Sequence, residues 1–272
     1  LTQDSFVLWA RSMALGSLTA DVTGIAPDGN TVTCTFTVDV TDDTIPAKFI
    51  VDSEAGFTAG MLISYTITDA VDNTLSGNFR LPHALDSTPE RNLRFGASGD
   101  WRGELRPYPA LANAPDRDLD FFMMLGDSAY VDLESLDLNR MARTLDEFRI
   151  KHNEVYSNRF GKNYWAALRA STALYLTIDD HEMYNDFSGG ADHSTQPYLS
   201  AADRAFEYTN QTSLYQDAMQ SFSEYNPLRD TVYEGTNDPR MEGRPQLYRY
   251  VNFGSEAAIF VLDARSFRDE AV

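Results

Sequence analysis

Apolar and polar positions alternate differently in the two parts of the chain. Up to about residue 92 the pattern is β throughout, and short runs at 5–10, 31–40, 47–51, 61–70 and 75–81 read as strands. Asp28-Gly29-Asn30 and Asp72-Asn73 punctuate them as tight turns, with no helical period between. This spacing predicts an all-β sandwich of immunoglobulin or fibronectin type over residues 1–82. Residues 83–92, with mixed polarity and a proline, read as a linker, and His83 within it as a surface histidine.

From residue 93 short apolar runs alternate with helical spacing. Residues 93–97 and 119–125 read as strands ending in Ser98-Gly99-Asp100 and Gly126-Asp127. A short helix is expected at 107–111, helical spacing over 140–158 and 165–170, and one long helix or two over 201–225, stopped by Asn226-Pro227. Residues 247–253 and 257–262 read as a hairpin ending in Asp263. Alternating strands and helices predict an α/β domain over 93–272.

One stretch organises this second part. Leu174, Tyr175, Leu176, Thr177 and Ile178 run directly into Asp179, Asp180, His181 and Glu182, with Asn185 and Asp186 a turn further on. A buried strand ending in ionisable side chains needs something to neutralise them, because isolated charges are costly near a core. A metal ion or pair fits, since such cations take carboxylate, carbonyl and imidazole ligands. Asp100, Asp127, Asp179 with Asp180, and Asp263 all close apolar runs, and in α/β sheets such strand ends converge on the ligand crevice. Taken singly, Asp100 and Asp263 read as helix caps. Asp127 and the 179–181 run read as a metal site. Tyr130 is either a phenolate ligand to a ferric ion or simple aromatic packing. Arg265 and Arg268 either hold phosphate oxygens or pair with Asp263, Asp269 or Glu270. His152 reads as part of a solvated helix, and His193 as a residue of the Gly-rich 188–195 loop.

Composition narrows the partners. The net charge is −19, and only Lys48, Lys151 and Lys162 among the 22 basic residues are lysines. Such a surface repels nucleic acid and anionic membranes and suits an extracellular or saline setting, where salt screens the field within roughly 8 Å. Cys34, the single cysteine, permits no intrachain disulfide and reads as a small buried hydrophobe. No apolar stretch is long enough for a transmembrane helix and no signal peptide is present, so export implies a leader already removed. Asn210-Gln211-Thr212 matches a glycosylation triplet, which also occurs by chance.

Three blocks resemble, in this order, the motifs of PhoD-like alkaline phosphatases within the calcineurin-like metallophosphoesterases: Leu125-Gly126-Asp127-Ser128-Ala129-Tyr130, then Asp179-Asp180-His181-Glu182 with Asn185-Asp186, then Phe260 to Asp269 (FVLDARSFRD). Asp4 to Arg11 and Tyr225 to Arg229 are similar to further parts of that family. The resemblance implies a layered α/β metallophosphoesterase domain after the sandwich, and a centre of iron with calcium or another divalent metal. It further implies phosphomonoester or phosphodiester substrates and an extracellular, periplasmic or cell-surface location. By position it makes Asp127 a bridging ligand, Tyr130 an iron ligand, Asp180 and Asn185 ligands, and His181 a ligand or proton donor. Arg265 and Arg268 would lie near the phosphate. Two departures stand out. Asp100 occupies the region where the family carries a cysteine ligand and, by the resemblance to the wider superfamily, would take its place as a metal ligand. Val272 precedes the family's last Asp and His block, so the domain is expected to be C-terminally incomplete. The competing reading is a non-catalytic cell-surface or assembly protein that keeps the scaffold.

Overall fold

The computed structural model describes residues 1–89, 91–192 and 198–270. Strands β1 (Phe6–Ala10) and β4 (Ala47–Val51) pair antiparallel. Strands β2 (Gly16–Ile25), β3 (Thr31–Val40), β5 (Leu62–Thr68) and β6 (Thr74–Arg80) form a second antiparallel sheet in the order β3-β2-β5-β6. Alternate side chains of both sheets meet in one core, with Phe6 and Leu8 from β1, Leu18, Ala20 and Val22 from β2, and Ile63 and Ile67 from β5. Strand β2 is the element the sequence reading missed. It is ten residues long and bonded on both sides, but Gly16, Ala20 and Gly24 dilute its apolar signal. Cys34 is half-buried on the edge strand β3 rather than enclosed.

Strands β7 (Phe95–Ser98), β8 (Phe121–Met124) and β9 (Ala173–Leu176) form a parallel sheet in that order, with Phe95, Phe121 and Ala173 in register. A parallel sheet is covered on both faces, and β8 shows it. Phe122 and Met124 enter a core with Trp101, Phe148 and Trp165. Phe121 turns the other way, onto Val251, Phe253 and Val261 of the hairpin β10 (Arg249–Phe253) and β11 (Ala257–Val261). Thr177 Oγ1 donates to the Leu262 carbonyl at 2.8 Å, which ties the ends of β9 and β11 together. Helices α1 (Leu145–Tyr156), α2 (Tyr164–Ser171) and α3 (Ser213–Glu224) cover the first face.

Three expectations are corrected. The 201–225 stretch is α-helical only in α3, with single 3₁₀ turns at Asp203–Ala205 and Thr209–Gln211, because the Asp203 carboxylate accepts hydrogen bonds from the backbone and hydroxyl of both Ser200 and Ser213 and folds the chain there. Thr212 Oγ1 then caps the helix through the Tyr215 N–H. The 107–111 segment supplies a single 3₁₀ turn, Pro109–Leu111. His152 is not solvated. Its ring is enclosed between α1 and α3, stacked 5.7 Å from Tyr225, and burial with Arg169 nearby pushes its pKa down to about 3. His83 is half-buried, and His193 lies outside the described residues.

Candidate metal centre

The ends of β8 and β9 turn sharply into the site. Gly126 has φ +100°, and a Cβ there would lie 2.2 Å from the Asp179 nitrogen, so this close crossing of two backbones admits only glycine. Asp127 follows at φ 51° and Asp100, after β7, at φ 64°. Both are in the left-handed region that Asp and Asn tolerate better than other residues and that functional sites often hold under strain. The Trp101 N–H donates to the Asp127 carbonyl at 2.8 Å and the Val131 N–H to the His181 carbonyl at 3.1 Å, locking the three loops together.

Here Asp127, Asp180 and His181 each offer a donor atom, all within 4.8 Å of one another. The His181 N–H donates to Asp127 Oδ1 at 3.2 Å, and the Asp186 N–H to Asp180 Oδ2 at 2.5 Å. Burial raises the Asp127 pKa to about 6, and the charges of Asp180 and Asp179 push the same way. Burial lowers the His181 pKa, but the hydrogen bond to Asp132 and the charges of Asp132, Asp127 and Asp180 leave it above the ordinary value. Two carboxylates and an imidazole converging in a desolvated crevice fit a cation, which would relieve both their repulsion and their burial cost.

Asp132 lies behind His181. Its two oxygens sit 2.8 Å and 2.9 Å from Nδ1, and its side chain is 4% exposed. This engages Nδ1 and leaves Nε2 for the site, the arrangement by which a carboxylate orients a metal-binding histidine. The ring is also stacked on Tyr130 at 4.2 Å. The Tyr130 hydroxyl donates to Asp100 at 2.7 Å, and burial, that hydrogen bond and Asp127 together raise its pKa. Tyr130 therefore stands as a neutral phenol against the cluster. Asn185 is exposed, with its carboxamide donating to Asp186 and its N–H to Asp132.

Glu182 is wholly buried and acts as an acceptor. Oε2 takes the N–H groups of Asp127 and Asp179 at 3.2 Å and 2.9 Å, while Oε1 takes the N–H and hydroxyl of Ser128 at 2.5 Å and 2.7 Å. It thus pins the loops after β8 and β9 to one another. Arg265 reaches in from the end of β11, with Nε 2.5 Å from Asp179 Oδ1 and Nη2 3.6 Å from Asp180 Oδ2. Arg268 is exposed, and its carbonyl accepts from the Gly190 N–H at 2.9 Å. A Cβ on the neighbouring Gly189 would lie 2.1 Å from the Ser266 carbonyl oxygen, so the glycine loop packs backbone to backbone against the Arg265 segment. The structure thus brings Asp127, Asp180, His181, Tyr130, Asp100 and Arg265 together. It leaves the Asn185 carboxamide and Arg268 at the surface. Sequence reasoning named Glu182 without a role and missed Asp132, whose one signal was a carboxylate five positions after Asp127. Asp263 serves as a turn cap, accepting from the Arg265 and Ser266 N–H groups.

A parallel sheet whose strand ends gather carboxylates, an imidazole and a guanidinium defines an α/β protein with a candidate metal centre. The chain belongs to the PhoD-like phosphatase family, whose model matches residues 95–272. Alkaline phosphatase D of Bacillus subtilis (strain 168) is 29% identical over 196 residues, covering 70% of this chain and 30% of that protein. A solved structure of PhoD aligns over 99% of this chain with a TM-score of 0.71 and 20% identity. The chain spans 51% of that structure, so it corresponds to about half or less of the relatives it matches. A cycloisomaltooligosaccharide glucanotransferase from Paenibacillus sp. aligns over 65% of this chain and 26% of its own, at 11% identity and a TM-score of 0.21, too low to carry an argument.

Proposed function

We propose that this chain carries the metal-holding part of a phosphoesterase acting on phosphomonoesters or phosphodiesters. The observation behind it is the convergence of Asp127, Asp180 and His181 within 4.8 Å at the ends of adjacent parallel strands. Asp127, Asp180 and His181 Nε2 would hold the metal, with the Tyr130 phenol and Asp100 beside them. The oxygen-rich donor set suits iron and calcium, or another divalent metal. When bound, the metal supplies Lewis-acid charge for activating water and neutralising phosphoryl oxygens.

The chain's own residues do the rest. Asp132 holds the His181 ring in one orientation, and Glu182 fixes the backbone on which Asp127 and Asp179 stand. Arg265 is the candidate phosphate clamp, since a guanidinium already shared between Asp179 and Asp180 can exchange carboxylate oxygens for phosphate oxygens. Arg268, exposed on the same segment, would meet the far side of the ester. Asn185 would join as a ligand only by turning its carboxamide away from Asp186.

The proposal extends to architecture and setting. Residues 1–82 form an immunoglobulin-like or fibronectin-like sandwich, 83–92 a linker and 93–272 a partial metallophosphoesterase domain. The acidic, lysine-poor surface supports an extracellular, periplasmic or cell-surface location, and no helix among the described residues is long and apolar enough to cross a membrane. Hydrolysis of p-nitrophenyl phosphate and bis(p-nitrophenyl) phosphate, with and without chelator and with Asp127→Asn, tests it alongside metal analysis. Chelator-sensitive turnover lost in the variant is expected. Metal-free protein that turns over neither ester would sink the reading and favour the non-catalytic scaffold.

A further inference from the structure

A cavity of about 560 Å³ opens between α3, the 228–232 loop and the 243–249 segment, and none of Asp127, Asp180, His181 or Arg265 lines it. In a chain of net charge −19, its lining carries Lys48, Arg229, Arg244 and Arg249. Two of these are already neutralised, Lys48 by Asp230 at 3.3 Å and Arg229 by Asp52 at 2.5 Å. The remaining lining carboxylate, Glu224, is held by Arg149 at 2.7 Å and 2.8 Å.

Arg244 and Arg249 are thereby left with no ion-pair partner among the described residues. Arg249 Nη1 donates only to the Leu176 and Leu247 carbonyls, at 3.2 Å and 2.8 Å, and burial holds its pKa below the usual guanidinium value. Arg244 Nε is buried without any hydrogen-bond partner. Enclosing a guanidinium without a counter-charge is costly, as for Arg249, and the half-buried Arg244, with its Nε enclosed, borders the same space. Met219, Phe222, Leu228 and Leu247 give part of its wall an apolar surface, interspersed with Gln216, Gln220, Ser223 and Gln246.

We propose that this cavity binds a small organic anion, with Arg244 and Arg249 holding a carboxylate or phosphate-type head and the α3 face receiving an apolar body. The guanidinium fork matches both planar and tetrahedral oxyanions. The inference is independent of the phosphatase reading, because the two sites share no residue.

Titration calorimetry on the chelator-treated chain with benzoate and with phenylphosphonate tests it, since the two probes put different heads on the same ring. Saturable binding of at least one probe is expected, weakened about tenfold or more by Arg244→Gln and by Arg249→Gln. Arg265→Gln should leave it unchanged. Arg244 is half-exposed, so its variant is the one expected to fold normally by circular dichroism even if Arg249→Gln does not. Binding of one probe alone identifies the head. No binding of either probe, or binding lost with Arg265→Gln and kept with Arg244→Gln, overturns the proposal.

Discussion

Glu182 makes the stability of the chain depend on pH in a direction opposite to that of an ordinary carboxylate. Burial raises its pKa from 4.5 to about 7, even though Ser128 and the Asp179 N–H donate to it. The folded state therefore binds more protons than the unfolded state between these values, and stability falls as pH rises through that window. The span corresponds to about 3 kcal/mol, fully available below pH 4.5 and lost above about pH 7. Asp127, raised to about 6 by burial, adds to the same slope. Glu182→Gln separates the two contributions. The amide cannot ionise, but its NH₂ must face two of the N–H or O–H donors that the carboxylate accepts, at a cost of about 1–3 kcal/mol for each buried group left unpaired. Urea unfolding of chelator-treated protein between pH 4.5 and 8 should show a steep fall for the natural chain and a shallower one for the variant, which is less stable at pH 5. Identical slopes in the two proteins would refute the assignment.

Gly126→Ala should destabilise the chain by about 2 kcal/mol or more, since φ +100° and a 2.2 Å contact with the Asp179 backbone leave no room to relax; chemical denaturation reads it. Asp132→Asn should lower metal affinity about 10–100-fold by releasing His181, measured by equilibrium dialysis with Fe, Ca or Mn. Added metal should raise the melting temperature of the natural chain by mass action and fail to do so for Asp127→Asn in a thermal-shift assay. Asn210 is fully buried, with Nδ2 donating to the Arg240 and Ser266 carbonyls at 2.9 Å and 2.7 Å. Mass spectrometry of folded protein secreted from a glycosylating host should find it unmodified, and Asn210→Ala should cost about 2 kcal/mol in denaturant unfolding.

How much of this was legible depended on whether the signal was local. The 173–187 stretch announced itself because apolar residues and charges changed over within a few positions, and that contrast survives in β9 and the cluster beyond it. Strand β2 was illegible because small residues suffice in a strand bonded to a neighbour on each side, whose pairing does not show in its own apolar pattern. His152 was misread because a polar residue at a helical position carries no mark of which face it will occupy, and here α3 covers it. Asp203 broke a long apolar periodicity by bonding two serines ten and three residues away, a tertiary override of local pattern. At the site, carboxylate identity was readable but assignment was not. Glu182 and Asp132 look alike in sequence to Asp180, and only burial and partners separate a backbone anchor and a histidine-orienting group from a candidate ligand.

The left-handed backbone at Asp127 also shapes which genetic changes the site can survive. An aspartate codon reaches Asn, Gly and Glu by single base changes. Asn and Gly keep the backbone at φ 51° and lose the charge, whereas Glu keeps the charge and must hold a longer side chain in a conformation it disfavours. The chemically conservative replacement is thus the structurally awkward one. In a selection for folded protein, Asn and Gly should outnumber Glu at this position.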